Sequence, residues 1–224
     1  MAVSTLVFDL DGTLVDTAPD LIDTLNVVLA REGLPTVPYE IARTMIGGGA
    51  RLMITRGLEA EGRGLVPADV ERMFADFIAH YTEHIADRSR PFPGLTDTLD
   101  LLAARGHRFA VCTNKLERLS VLLLEKLGLL GRFVVICGQD TFGMQKPDPD
   151  ILRRTIAAAG GNDRDAVMIG DSVTDIRTAR AAGVPVIAVN FGYSDIPVSD
   201  YAPDHTIAHF SQLPAAIAAI LPAS

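Results

Sequence analysis

The chain has 224 residues, enough for one or two domains with a substantial core. Hydrophobic residues make up 48% and are spread evenly, without repeats or low-complexity runs, which excludes a disordered chain. Twenty Lys and Arg against twenty-eight Asp and Glu leave a formal charge of −8, which disfavours nucleic-acid and anionic-membrane partners but not a small anion in a locally positive site.

Thr5, Leu6, Val7 and Phe8 are predicted to form a short buried strand that ends in a turn at Gly12. Between Thr5 and Val15 the charges are Asp9 and Asp11, one residue apart. Buried carboxylates without compensation are costly, so the stretch calls for a cation. Leu21, Leu25, Val28 and Leu29 then fall at helical spacing, with Gly33 and Pro35 as the stop. A shorter helix follows Gly49, with Leu52 and Leu58. A third begins near Pro67 and carries Val70, Phe74, Phe77, Ile78 and Tyr81 on one stripe. Residues 16–86 are thus expected to be helical, without strands.

After the turn-rich residues 90–94 the pattern alternates. A helix over 95–104 leads to a strand over 109–113. A helix with Leu119, Leu122, Leu123 and Leu127 ends at Gly128, and a strand over 133–137 follows. Asp148 and Pro149 open a helix as cap and first residue. A strand over 166–170, a helix over 174–182 and a strand over 186–189 complete the pattern. Alternating strands and helices predict an α/β fold: a doubly wound, Rossmann-like parallel sheet, with a small all-helical cap inserted after the first strand. The expected division is core over 1–15 and 87–224, and cap over 16–86. Cys112 and Cys137 lie in apolar runs, as packed thiols in a reducing cytoplasm would. No basic stretch precedes a hydrophobic segment, and no uncharged run reaches membrane-spanning length.

In sheets of this kind ligands bind at the carboxyl ends of the strands. Asp9 and Asp11 follow the first strand, Thr113 and Asn114 the second, and Asp171 a third. Lys146, before Pro147, adds a cation, and a cis bond there would re-aim it. Asp9, Asp11 and Asp171 are hard oxygen donors that suit Mg²⁺. Lys146 and the Thr113 hydroxyl suit a phosphate. Asp9 can attack phosphorus to give an aspartyl-phosphate. Asp11 can protonate the leaving oxygen and then activate water.

DLDGT at residues 9–13, Thr113-Asn114, Lys146-Pro147 and GDSVTD at 170–175 occur in an order that resembles the four motifs of the haloacid dehalogenase superfamily. The resemblance implies that Asp9 is the nucleophile and Asp11 the acid/base, and that Thr113, Asn114 and Lys146 bind phosphate. It also implies that Asp9, Asp171 and the main-chain carbonyl of Asp11 hold Mg²⁺, with Asp175 and Ser172 in support. Asp11 marks phosphate hydrolases of this fold apart from its true dehalogenases. MIGGGARLMITRGL, CTNK and NFGYS look like the phosphoglycolate phosphatase subgroup, though relatives often carry Gly-Asn-Gly where residues 47–49 are all glycine. The expected substrate is 2-phosphoglycolate, a small phosphorylated acid, with the protein a monomer or homodimer in the cytoplasm. The Gly47–Arg51 loop is expected to read the substrate carboxylate, with Gly48 and Arg51 as its candidate residues, and Lys115 is a further candidate contact. The alternatives on the same chassis are another small-molecule phosphatase, a pyrophosphatase or a sugar-phosphate mutase. A signalling receiver also pairs aspartates with a Thr and a Lys, but lacks the helical insertion and the GDSVTD strand end. A binding module would be expected to have lost Asp9, Asp11 or Asp171.

Overall fold

The computed structural model describes residues 4–221, except 63 and 65. Strand β1 (Thr5–Phe8) leads into a two-residue strand, β2 (Val15–Asp16), and then into four helices: α1 (Ala18–Arg31), α2 (Tyr39–Arg43), α3 (Ala50–Ala60) and α4 (Pro67–Glu83). Strand β3 (Arg90–Pro91) pairs antiparallel with β2 and brings the chain back beside its point of departure. Two-residue strands carry no periodicity, which is why sequence patterning passes over them.

The rest of the chain alternates as α5 (Leu95–Ala104), β4 (Arg108–Cys112), α6 (Glu117–Lys126), β5 (Val135–Cys137), α7 (Pro149–Ala158), β6 (Ala166–Gly170), α8 (Val173–Ala182) and β7 (Val186–Val189). Strand β8 (His205–Ile207) and helix α9 (Leu213–Ile220) follow. The main sheet has the order β5-β4-β1-β6-β7-β8, parallel throughout. This is a Rossmann-like α/β fold, with β1 at the centre. The expected strand at 133–137 is shorter, because residues 130–132 form a 3-10 turn that carries Phe133 into it.

Strand alternation divides the core in two. Leu6, Phe8, Val111 and Ile169 pack towards α5, α6 and α9, while Val7, Ala110, Cys112 and Met168 pack towards α7 and α8. Phe8 lies edge-on to Phe109 and Phe133, with centroids 6.1 and 6.4 Å apart, a geometry worth about 0.5–1.5 kcal/mol beyond burial. Both cysteines are buried and unpaired, and burial pushes the Cys112 thiol up to about 12, so it is an inert packing group at neutral pH.

In the helical block, Met73, Phe77 and Tyr81 of α4 and Leu25 and Leu29 of α1 form the apolar centre. Helix α3 buries Met53, Ile54 and Leu58. Leu52, expected on that face, is exposed, because the buried stripe is set by contacts with both α1 and α4.

Candidate active site

The carboxyl ends of β1, β4 and β6 lie side by side, since these strands are neighbours in the sheet. Asp9 leaves β1 with its N–H donating to the Ile169 carbonyl at 2.9 Å. The chain then turns at Gly12, whose φ of +86° favours glycine. A Cβ there would stand 2.5 Å from Asp171 Oδ2, so the close approach of the first loop to Asp171 also requires glycine. Asp171 is fixed at both oxygens: Thr13 Oγ1 donates to one at 3.1 Å and the Tyr193 N–H to the other at 2.8 Å.

Lys146 sits among the acids. Its Nζ lies 2.6 Å from Asp175 Oδ1 and 2.8 Å from Asp9 Oδ1. The contact to Asp9 is an ion pair without hydrogen-bond alignment, so this carboxylate oxygen keeps acceptor capacity. Lys146–Pro147 is cis. Asp175 is built in by the start of α8. Ser172 caps that helix, and its N–H and hydroxyl both donate to Asp175 Oδ2, so Ser172 serves by holding Asp175.

Asp9, Asp171 and Asp175 place a carboxylate oxygen each within 4.8 Å of one another, all buried. Lys146 is the one cation paired with any of them among the described residues. Three carboxylates against one ammonium leave an excess of negative charge in a low-dielectric site. Its mark is on Asp171, which burial, and next the Asp175 and Asp9 charges, push up to about 8. Asp9 is pushed up to about 6 by burial, against the pull of Lys146. Burial opposes the charge on Lys146, but Asp175 and Asp9 together hold its ammonium well above the ordinary lysine value. Buried, hard and over-negative, the cluster suits a divalent cation. Asp175 is occupied by Lys146 and Ser172, which leaves Asp9 and Asp171 as the better placed side-chain ligands.

Asp11 stands apart from this cluster. Its carboxylate pairs with Lys115 Nζ at 3.1 and 3.3 Å. The same ammonium donates to the Tyr81 hydroxyl of α4 at 2.9 Å and lies 4.4 Å from that ring's centroid. Thr113 is buried at the end of β4, and its hydroxyl accepts the Lys115 N–H at 3.2 Å.

Three candidate residues are placed differently from expectation. Asn114 lines the cavity, but its side-chain amide is turned to Lys146 rather than offered to a phosphate, which leaves its main-chain N–H as the group for that role. Its Oδ1 accepts the Lys146 N–H at 2.8 Å and its Nδ2 donates to the Lys146 carbonyl at 3.1 Å, so it clasps the lysine's backbone. Arg51 is not brought to the acids either. It pairs with Glu71 at 2.7 and 2.9 Å on the surface and stacks 3.6 Å over Phe74. Gly48 likewise faces Leu52, and it is Gly47 and Gly49 that line the cavity above Asp9 and Asp11.

Tyr193, in the NFGYS run, ties two parts of the site together. Its hydroxyl accepts the N–H groups of Thr17 and Ala18 at 2.6 and 2.9 Å and donates to Asp16 at 2.7 Å, while Arg43 lies over its ring. One residue therefore joins Asp171 to the start of α1.

Comparison with known proteins agrees with this geometry. The model of the haloacid dehalogenase-like hydrolase family matches residues 6–189. A phosphoglycolate phosphatase of Mesorhizobium japonicum is 48% identical over 93% of this chain and 92% of its own. One from Agrobacterium fabrum is 46% identical over 94% and 91%. The crystal structure of a predicted phosphoglycolate phosphatase from Haemophilus somnus superposes with a TM-score of 0.89 at 28% identity, covering 95% of this chain and 97% of that one. The chain belongs to the haloacid dehalogenase-like hydrolase family. It is an enzyme, a hydrolase of the phosphoric monoester type.

Proposed function

We propose that the enzyme is a Mg²⁺-dependent phosphatase that hydrolyses 2-phosphoglycolate to glycolate and phosphate through an aspartyl-phosphate. The observation that carries the chemistry is the Asp9 carboxylate, buried against Lys146 at 2.8 Å with Asp11 two residues on. The substrate follows from the named activity of relatives at up to 48% identity. Asp9 and Asp171, with the main-chain carbonyl of Asp11, would hold Mg²⁺, which offsets charge on a transferring phosphoryl group.

Asp9 attacks phosphorus, forming a phosphorus–oxygen bond as the bond to the glycolate oxygen breaks. Asp11, once away from Lys115 and protonated from solvent, gives that proton to the leaving oxygen, then takes a proton from the water whose oxygen attacks phosphorus as the bond to Asp9 breaks. Lys146 steadies Asp9 and meets the phosphoryl oxygens, and Thr113 donates its hydroxyl. Asn114 and Asp175 keep Lys146 in place.

Residues 16–86 act as a cap over the core formed by 1–15 and 87–224. The cavity over Asp9 and Asp11 holds about 40 Å³, space for roughly three waters at 10–15 Å³ each. Movement of the helical block would widen this space for 2-phosphoglycolate, and its return would exclude water. The net negative charge and the unpaired buried thiols support a cytoplasmic setting without nucleic-acid or membrane partners. No described helix is long and apolar enough to cross a membrane.

The test is phosphate release with Mg²⁺ across 2-phosphoglycolate, sugar phosphates, nucleotides and pyrophosphate, with Asp9→Asn as control. A kcat/KM for 2-phosphoglycolate orders of magnitude above the rest, abolished in Asp9→Asn, is the expected result. Equal slow turnover of several esters would retire the substrate, and phosphate release by Asp9→Asn would retire the nucleophile.

A further inference from the structure

We infer that Lys115 is the residue that reads the leaving group, by exchanging the Asp11 carboxylate for the carboxylate of the substrate. This rests on the substrate proposed above and goes beyond it, because the phosphate machinery of Asp9, Thr113 and Lys146 says nothing about what the phosphate is attached to.

The cavity over Asp9 and Asp11 is walled on the helical side by apolar groups, among them Ile46, Met53, Phe74 and Phe77. A phosphorylated acid that enters it must place a second negative charge against this wall, and an unpaired buried carboxylate is strongly disfavoured. Among the described residues, Lys115 is the one cation that lines the cavity. The other cations nearby are committed elsewhere. Arg51 is held outside by Glu71, Arg56 donates to the Thr44 carbonyl, and Lys146 is held by Asp9 and Asp175.

Lys115 is also built for a short reach. Its side chain is buried, its main-chain N–H is tied to Thr113 Oγ1, and its ammonium is steadied by the Tyr81 hydroxyl and ring. The ammonium therefore stands between the reacting end of the site and the cap, where the carboxylate end of a two-carbon leaving group would lie. A lysine carries three donors. These go to Asp11 and Tyr81. A substrate carboxylate supplies a second anion for the same ammonium and competes for the place of Asp11. Its arrival releases Asp11 towards the phosphate, while Tyr81 keeps the lysine in position. The carboxylate thus selects the substrate and, in the same exchange, frees the Asp11 carboxylate to take up from solvent the proton it then donates.

The test compares 2-phosphoglycolate with 2-hydroxyethyl phosphate, which has the same carbon chain and no carboxylate. Wild type, Lys115→Met and Lys115→Arg are assayed on both. Loss of Lys115 also leaves Asp11 without its partner, so absolute rates fall on both substrates and the ratio of kcat/KM is the readout. The ratio is expected to drop on the order of 10- to 100-fold in Lys115→Met, the range of one charge-assisted hydrogen bond, and to be partly retained in Lys115→Arg. A ratio unchanged in Lys115→Met overturns the assignment and leaves the substrate in place. A wild-type enzyme with no preference for 2-phosphoglycolate overturns the substrate proposal and the assignment with it.

Discussion

Lys146→Met removes the positive charge from a site that keeps three carboxylates. In the folded protein the lysine and Asp175 side chains are 2% and 0% exposed, and Asp9 is 8% exposed, so water offers little relief. Breaking a buried pair by deleting one partner costs about 3–5 kcal/mol, or roughly 6–20 °C in Tm for a chain of this size. The cost is expected to shrink at pH 5, where the stranded carboxylates can take up protons, and to grow at pH 8. Asp175→Asn removes one of the two anions that hold the lysine and leaves Ser172 an acceptor. The double variant is therefore expected to lose less than the sum of the single losses, by about 1–3 kcal/mol. Urea denaturation of the four proteins in chelator, at both pH values, measures each quantity. Additivity within about 0.5 kcal/mol, or a Lys146→Met variant as stable as wild type, would refute the view that this lysine neutralises the cluster.

Tyr193→Phe deletes a hydroxyl that satisfies two N–H groups at the start of α1, and is expected to cost about 2–5 kcal/mol in thermal unfolding and to raise KM more than it lowers the rate with saturating substrate. Gly12→Ala combines a strained φ with a Cβ 2.5 Å from Asp171, so Mg²⁺ affinity measured by calorimetry should weaken at least tenfold while the fold survives. Asp171 in the metal-free protein is raised to about 8 from an unfolded value of about 4, so the folded state binds the extra proton between those limits. Its contribution is fully present below pH 4 and is lost as pH rises towards 8, with a slope approaching about 1.4 kcal/mol per pH unit. Mg²⁺ should accordingly stabilise the protein more at pH 8 than at pH 5, and an equal effect at both would contradict the assignment.

Much of the site is legible because it is made at strand ends. Asp9, Thr113 and Asp171 each follow an apolar run of three to five residues, and a parallel sheet must bring such ends to one edge. What sequence patterning misses are contacts that depend on how the helical block sits on the sheet. Tyr81 reads as one more apolar position on a stripe, yet its hydroxyl meets Lys115, 34 residues away in sequence. Arg51 reads as a free helix-start cation, because nothing local announces Glu71, 20 residues on, as its partner. The Asn114 side chain is misjudged for the same reason: the partner of its amide, the Lys146 backbone, lies in another loop. Strand β8 and helix α9 escape because three-residue strands and an Ala-rich helix show little periodicity.

The ribbon formed by β2 and β3 has an architectural consequence. Val15 faces Pro91, Asp16 faces Arg90, and the Phe92 N–H donates to the Leu14 carbonyl at 3.1 Å, so the intervening chain leaves and rejoins the sheet through one narrow neck. An insertion whose ends already touch imposes little loop-closure entropy on its host, whatever its length. The segment beyond the neck can therefore be lengthened, shortened or exchanged without rethreading a single strand of the sheet. The parts that make chemistry and the parts that choose the molecule are free to evolve, or to be engineered, on separate schedules.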